Sequence, residues 1–254
     1  VLGIFTCNTG IGMYEKEMKA LSDYYVSLGY EAGRWHIGGE HPHLEECAVR
    51  LLAPLQSKRV LEIGYQAGGF AVPVIYALHG DGTFGYTGID SGEYANSVDG
   101  NVIEGFLRKN NIASGKYKFN KGDAHVFLKK LDAGQFDLIL VDHYKPLYPR
   151  EFLTIIKRQL LSPQGYILFH DVLERASKAW VQCRNMCDMF GYSWEMDDNV
   201  PGGLAVVRKK SNHTRSQCFL KMAYAQTVIL KTGAGMKLAD VVAGVKRAIR
   251  NRMP

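Results

Sequence analysis

Five short stretches of the 254-residue chain end in residue types that do chemistry. Leu140-Val141-Asp142-His143-Tyr144-Lys145 closes an apolar run with an acid, an imidazole and an amine, and Phe169-His170-Asp171-Val172 closes another with an imidazole and an acid. Glu62-Ile63-Gly64-Tyr65-Gln66-Ala67-Gly68-Gly69 puts an acid before a turn of small residues. Gly88-Ile89-Asp90-Ser91 and Gly122-Asp123-Ala124 add two further acids. Small residues after a strand let a ligand approach the backbone closely, and an acid at a strand end can take both hydroxyls of a ribose. A dinucleotide fingerprint would read G-x-G-x-x-G, which Gln66 breaks, and little basic charge stands near a would-be pyrophosphate. A nucleoside ligand without phosphates fits these residues better. Each acid also has a structural reading: Glu62 as the cap of the next helix, Asp90 as the end of its strand, Asp123 as a helix N-cap before Ala124.

These residues need a scaffold that delivers them to one edge. Strands are predicted at 59–63, 84–90, 117–121, 136–142, 165–170, 192–196 and 204–208, several of them apolar throughout, as in the middle of a parallel sheet covered on both faces. Helices are predicted between them at 68–79, 96–111, 124–132, 149–161 and 174–190. This alternation predicts an α/β fold, doubly wound around a mostly parallel seven-stranded sheet. The last two strands follow one another without a helix, which predicts an antiparallel edge hairpin across 197–203. In such a sheet ligands bind beyond the carboxyl ends of the strands, at the switch point. All five stretches end there. Helices at 14–28 and 42–55 precede the sheet, with a loop at 29–43, and helices at 216–231 and 237–252 follow it. The predicted organisation is an N-terminal helical or lid segment, 1–58, a ligand-binding catalytic domain, 59–208, and a basic helical tail, 209–254.

Composition excludes a disordered chain, a collagen-like repeat and a small disulfide scaffold. No run of about 18 apolar residues predicts a membrane span, and the first residues do not read as a signal peptide. The net charge of +6 is uneven: eleven Lys or Arg and one acid from Arg208 onward give +10, so residues 1–207 sum to −4. A basic tail binds nucleic acid or an anionic surface, or is the solvated face of ordinary helices that pack on the body or make a dimer contact. Five scattered cysteines (Cys7, Cys47, Cys183, Cys187, Cys218) predict reduced thiols and a cytoplasmic setting. His36, His41 and His43 invite a zinc reading, but their spacing matches no standard site. Tyr30 and Trp35 line a substrate pocket or simply pack, and the edge loop 196–201 is placed to close it.

Across about residues 40–208 the chain resembles the class I S-adenosylmethionine-dependent methyltransferases. Within them, Asp142-His143-Tyr144-Lys145 resembles the Asp-His-Trp-Lys segment of the catechol O-methyltransferase-like group, and Glu62-Ile63-Gly64…Gly68 resembles its first motif. The resemblance implies a class I methyltransferase-like Rossmann fold and S-adenosyl-L-methionine as cofactor. Glu62, Gly64, Tyr65 and Gly68 would then line its methionine and ribose part. Asp90 and Ser91 would hold the ribose, Asp123 and Ala124 would flank the adenine, and Asp142 and His143 would stand against the cofactor from the fourth strand. Methyl transfer is an in-line displacement in which the protein aligns the partners and deprotonates the nucleophile. The resemblance makes Lys145 the general base, provided that its pKa is lowered, with His143 and His170 as further catalytic candidates.

The group's metal site uses an acid at position 142 and an Asp-Asn pair after the fifth strand; here His170-Asp171 stands instead. The resemblance thus implies a divalent ion on Asp142, His170 and Asp171, either magnesium or a softer ion such as manganese, iron or zinc. The alternative is that the metal is lost and His170 acts as a base oriented by Asp142 or Asp171. The expected activity is methyl transfer to a phenolic or similar hydroxyl of a small molecule. RNA methylation aided by the tail and a cofactor-binding, non-methylating protein are the alternatives; the acidic body counts against nucleic acid.

Overall fold

The computed structural model describes residues 15–30, 42–94, 97–173 and 177–210. The expected tail helices, together with Trp35, His36, His41, Cys7 and Cys218, lie outside the described residues.

Two helices, α1 (Glu15–Ser27) and α2 (Pro42–Leu52), lead into β1 (Lys58–Ile63). Then follow α3 (Ala71–Leu78), β2 (Phe84–Asp90), α4 (Gly100–Lys109), β3 (Tyr117–Lys121), α5 (Ala124–Leu128), β4 (Phe136–Val141), α6 (Tyr148–Arg158) and β5 (Leu161–His170). The described chain ends with α7 (Ser177–Phe190), β6 (Tyr192–Asp197) and β7 (Leu204–Lys209). The seven strands form one sheet in the order β3-β2-β1-β4-β5-β7-β6. Pairing is parallel from β3 to β5 and antiparallel for β5–β7 and β6–β7. The expected doubly wound sheet with an antiparallel hairpin is the observed one. The hairpin enters in reverse, with β7 beside β5 and β6 at the edge.

Strand side chains alternate between faces, and the apolar strands serve both. Val60, Leu138, Leu140, Leu168 and Leu204 pack with α1–α4 on one side. Leu61, Ile63, Ile139, Val141, Ile167 and Phe169 pack with α5–α7 on the other. Burying each such side chain stabilises by about 1.5–3 kcal/mol, which is why β4, buried at every position, tolerates no polar residue but Asp137. Asp137 sits at the amino end of β4 and accepts hydrogen bonds from the Ser57 hydroxyl (2.7 Å) and the Arg59 backbone N–H (3.0 Å).

Helices α3 to α6 are shorter than their apolar periodicity predicts: α4 starts late, at a side-chain cap, whereas α5 starts where predicted and ends early, at Leu128. Asp99 accepts from the Asn101 N–H to open α4, and Asp123 accepts from the Val126 N–H to open α5. Strand β5 is longer than predicted. The predicted strand starts at Gly165, whereas β5 starts at Leu161 and takes in Pro163 at an irregularity where pairing to β4 jumps from Phe136↔Leu161 to Leu138↔Tyr166. Proline has no N–H for the ladder and is accommodated at such a break. Among the described residues no helix is long and apolar enough to cross a membrane.

Candidate active site

The switch point falls between β1 and β4, whose neighbours run in opposite directions across the sheet. Backbone bonds carry the pairing past the strand ends there: the Gly64 N–H to the Ile89 carbonyl (2.8 Å), the Asp142 N–H to the Ile63 carbonyl (2.9 Å) and the Gly122 N–H to the Asp90 carbonyl (2.8 Å). Gly64 is the seam. Its φ is +97°, and a Cβ on it would lie 2.0 Å from the Asp142 carbonyl oxygen, so no other residue fits. From α1, the Tyr25 hydroxyl donates to the Ala67 carbonyl (2.7 Å) and pins the turn that follows.

A cavity of about 570 Å³ opens beside this seam. Of the expected cofactor residues it is lined by Gly64, Asp90, Ser91, Asp123, Ala124 and His143, drawn from four strand ends. Asp90 is buried, and its carboxylate accepts from the backbone N–H of Gln66 (3.0 Å), the N–H of Gly92 (2.6 Å) and the Ser97 hydroxyl (3.1 Å). These three donors fix the rotamer while a carboxylate still has acceptor capacity for a polyol. Gln66, the residue that breaks the dinucleotide fingerprint, earns its left-handed φ of +47° by this bond. Asp123 caps α5 and also lines the cavity, so both of its readings hold. Gly122 leaves open space where a side chain would stand.

Three expected cofactor residues stand behind this wall. Glu62 is buried and bonded to the Tyr86 hydroxyl; burial pushes its carboxyl well up, against the pull of that hydroxyl. The Tyr65 ring packs edge-on against Phe119 in the core (5.1 Å), and Gly68 is enclosed by Ile103 and Val72. They shape the turn and its underside. The signal that misleads for Tyr65 is spacing: it follows Gly64 but points to the core face.

Side chains at the ends of β4 and β5 meet one another. The Lys145 ammonium donates to Asp142 (3.2 Å) and Asp171 (2.6 Å). His170 is buried, with Nδ1 3.0 Å from Asp142 Oδ2 and Nε2 3.1 Å from the Pro201 carbonyl oxygen and 3.6 Å from Asp171 Oδ1. The edge loop therefore does reach the site, through Pro201. Asp171 has a left-handed φ of +55°, and Gly202 packs against its carboxylate. Enclosure alone would raise the Asp142 carboxyl, but His170 and Lys145 hold it well below the usual range. For Lys145, burial lowers the pKa, yet Asp142 and Asp171 outweigh it and leave it above the ordinary lysine value. His170 is likewise lowered by burial and raised further by its carboxylate partners, for a net rise. The condition for Lys145 as a base, a lowered pKa, is not met in this arrangement. The Asp142 side chain serves this cluster, while its backbone abuts Gly64.

His143 lies apart from that cluster. Its Nε2 bonds to Glu151, a fully buried acid on α6 that also lines the cavity. Beside it, Arg150 reaches toward Glu151 (3.4 Å) and Asp123 (3.9 Å), and its Nε is buried with no hydrogen-bond partner. Sequence reasoning missed Arg150 and Glu151; the available signal was a charged pair in the first turn of the helix that follows the fourth strand end. It missed Glu45 on α2 as well. Glu45 is buried with Oε2 unpartnered; burial pushes its carboxyl up to about 8, against its own backbone N–H and the nearby His170. Tyr94 and Tyr144, both exposed, line the cavity. Tyr30 packs against the core of α1, and His43 lies at the start of α2 without joining the site.

By distance alone Asp142, His170 and Asp171 could hold a metal ion, since one ligand atom of each lies within 4.8 Å of the others. By chemistry they do not fit it as they stand. Both ring nitrogens of His170 face acceptors, which calls for N–H at each and leaves no lone pair to give. An ammonium already lies on both carboxylates.

Residues 61–172 match the family model described as a methyltransferase domain. No curated protein matches the chain. Among solved structures, the Podospora anserina methyltransferase PaMTH1 bound to S-adenosylhomocysteine is 18% identical, with a TM-score of 0.58 over 82% of this chain and 100% of that one. The O-methyltransferase TomG of Streptomyces achromogenes, in complex with S-adenosylmethionine, is 18% identical, with a TM-score of 0.56 over 78% of this chain and 91% of that one. An O-methyltransferase from Bacillus cereus with S-adenosylhomocysteine is 15% identical, with a TM-score of 0.57 over 76% and 91%. The likeness establishes the class I methyltransferase fold, and the resemblance read from the sequence holds.

Proposed function

We propose that this chain is an S-adenosylmethionine-dependent methyltransferase that methylates a hydroxyl oxygen of a small molecule. The observation that carries the reading is the cavity at the switch point, where buried Asp90 is oriented by three donors and faces the same space as Gly64, Asp123, Ala124 and His143. Its volume suits a nucleoside-sized ligand. The residues present fit the cofactor: Asp90 for the ribose hydroxyls, Gly122 and Ala124 leaving room for a flat base, and the orphaned Arg150 Nε–H for an acceptor on that base. Tyr94 and Tyr144 offer apolar cover at the rim.

When bound, S-adenosylmethionine supplies an electrophilic methyl carbon on a sulfonium centre. The chain's own residues align the acceptor and handle its proton. The acceptor oxygen approaches the Lys145 ammonium, which stabilises the oxyanion, and its proton passes to the partly exposed Asp171 carboxylate. The small-molecule acceptor is supported by the solved O-methyltransferases of the same fold and by the aromatic rim.

Calorimetry with S-adenosylhomocysteine tests the first step; a single site with micromolar affinity is expected, and no heat together with no thermal shift overturns the reading. Transfer of labelled methyl from S-adenosylmethionine to a panel of phenols, with the product bond assigned by mass spectrometry, tests the oxygen. Label found on nitrogen or carbon overturns that part.

A further inference from the structure

The cluster at the ends of β4 and β5 balances its own charge. Asp142 and Asp171 supply two carboxylates, and Lys145 Nζ lies between them at 3.2 and 2.6 Å. That is the place a divalent ion would take between these two acids. His170 closes the third side with its Nδ1 on Asp142 and its Nε2 on Pro201. The arrangement is held by backbone as well as by charge. Asp171 takes a left-handed φ of +55°, and a Cβ on Gly202 would come within 2.1 Å of Asp171 Oδ1. The Val172 and Leu173 N–H groups bond to the Gly203 and Gly202 carbonyls at 3.3 and 2.9 Å, so the loop before β7 clamps the residue after β5.

We infer that the Lys145 ammonium is a built-in replacement for the metal ion, so that this site works without a divalent cation and takes its acceptor by one oxygen. A divalent ion can chelate two neighbouring oxygens. An ammonium has three donors in all, of which two are given to Asp142 and Asp171. One donor remains, and it suits a single phenolate-type oxygen with no vicinal partner. A divalent ion would have to displace the ammonium from that place, against its positive charge and its two carboxylate bonds. The inference rests on the methyltransferase reading for its acceptor, but its test is independent of it.

Binding of Mn2+ to the full chain, followed by electron paramagnetic resonance of the free ion, decides the point. Wild type is expected to show no saturable Mn2+ site up to about 1 mM. Lys145→Met, which exposes the two carboxylates, is expected to gain one site at least about tenfold tighter. Lys145→Gln serves as the second variant if the first melts early. S-adenosylhomocysteine calorimetry on the same samples reports whether the cofactor cavity is intact, so loss of that reading is seen separately. One tight Mn2+ site in wild type that Asp142→Asn removes would overturn the inference. Equal Mn2+ affinity in wild type and both Lys145 variants would overturn it too. A chelator leaving wild-type turnover unchanged is the expected companion result.

Discussion

The two halves of the strand-end crevice treat their acids in opposite ways. On the β1-β2-β3 side, Asp90 is satisfied by neutral donors: two backbone N–H groups and a serine hydroxyl. On the β4-β5 side, Asp142 and Asp171 are satisfied by the charged side chains of Lys145 and His170. Neutral donors orient a carboxylate and leave its charge in place for a polyol. Cationic partners cancel that charge and leave a donor instead. One half is preset to accept hydrogen bonds from a ligand and the other to give one. The halves meet at Gly64, where a backbone oxygen occupies the space a side chain would need.

The strongest way to break this comparison is at the seam. Gly64→Ala forces a Cβ against the Asp142 carbonyl at a positive φ; a loss of stability on the order of 4 kcal/mol and of S-adenosylhomocysteine binding is expected in melts and calorimetry. A variant that melts and binds normally would show the halves to be independent.

Glu45 on α2, near His170, adds a buried acid with an unpartnered oxygen beside the β4-β5 half. Its folded pKa of about 8 lies above the ordinary 4.5, so the folded state holds a proton that the unfolded state releases. Wild-type stability should therefore fall as pH rises from about 4.5 to about 8, by about 3 kcal/mol at pH 7. Glu45→Gln should lack that fall and gain over wild type at pH 7 but not at pH 4. Parallel stability curves for the two proteins would remove Glu45 from the account.

Asp142→Ala leaves Lys145 and His170 facing no acid at that position. Turnover should drop about 100-fold and stability by about 2 kcal/mol, while affinity for S-adenosylhomocysteine changes only a few-fold. Asp90→Asn should do the reverse, weakening that affinity about 30-fold through lost charge-assisted bonds, with little change in the rate at saturation. If the two variants gave the same pattern, the division into halves would be wrong. The smallest effect is expected from Tyr25→Phe, which removes the bond to the Ala67 carbonyl: about 1 kcal/mol of stability and a few-fold in affinity.

Much of this was legible from residue order. Leu138-Ile139-Leu140-Val141 announced a strand covered on both faces, and both cores use it. Acids and glycines at successive strand ends announced a crevice, and Gly64, Asp90, Ser91, Asp123, Ala124 and His143 do line it. Some boundaries were less legible: the Asp99 cap sets the start of α4 through a bond that apolar periodicity does not register, whereas the Asp123 cap and the start of α5 could be read from the sequence. The longer β5 was hidden by Pro163, a turn signal that the sheet absorbed as an irregularity.

The order of residues by itself determined the alternation of strands and helices, the apolar faces and the edge at which the reactive groups collect. Those follow from local periodicity and from the rule that strand ends share an edge. Only the tertiary structure decided what each group faces. Lys145 and Asp171 are far apart in the chain, yet an ammonium and a carboxylate lie 2.6 Å apart. Charge state, and with it the choice between a base, a metal ligand and a fixed cation, depends on distances of a few ångströms, because Coulomb energy and hydrogen bonding fall off over that range.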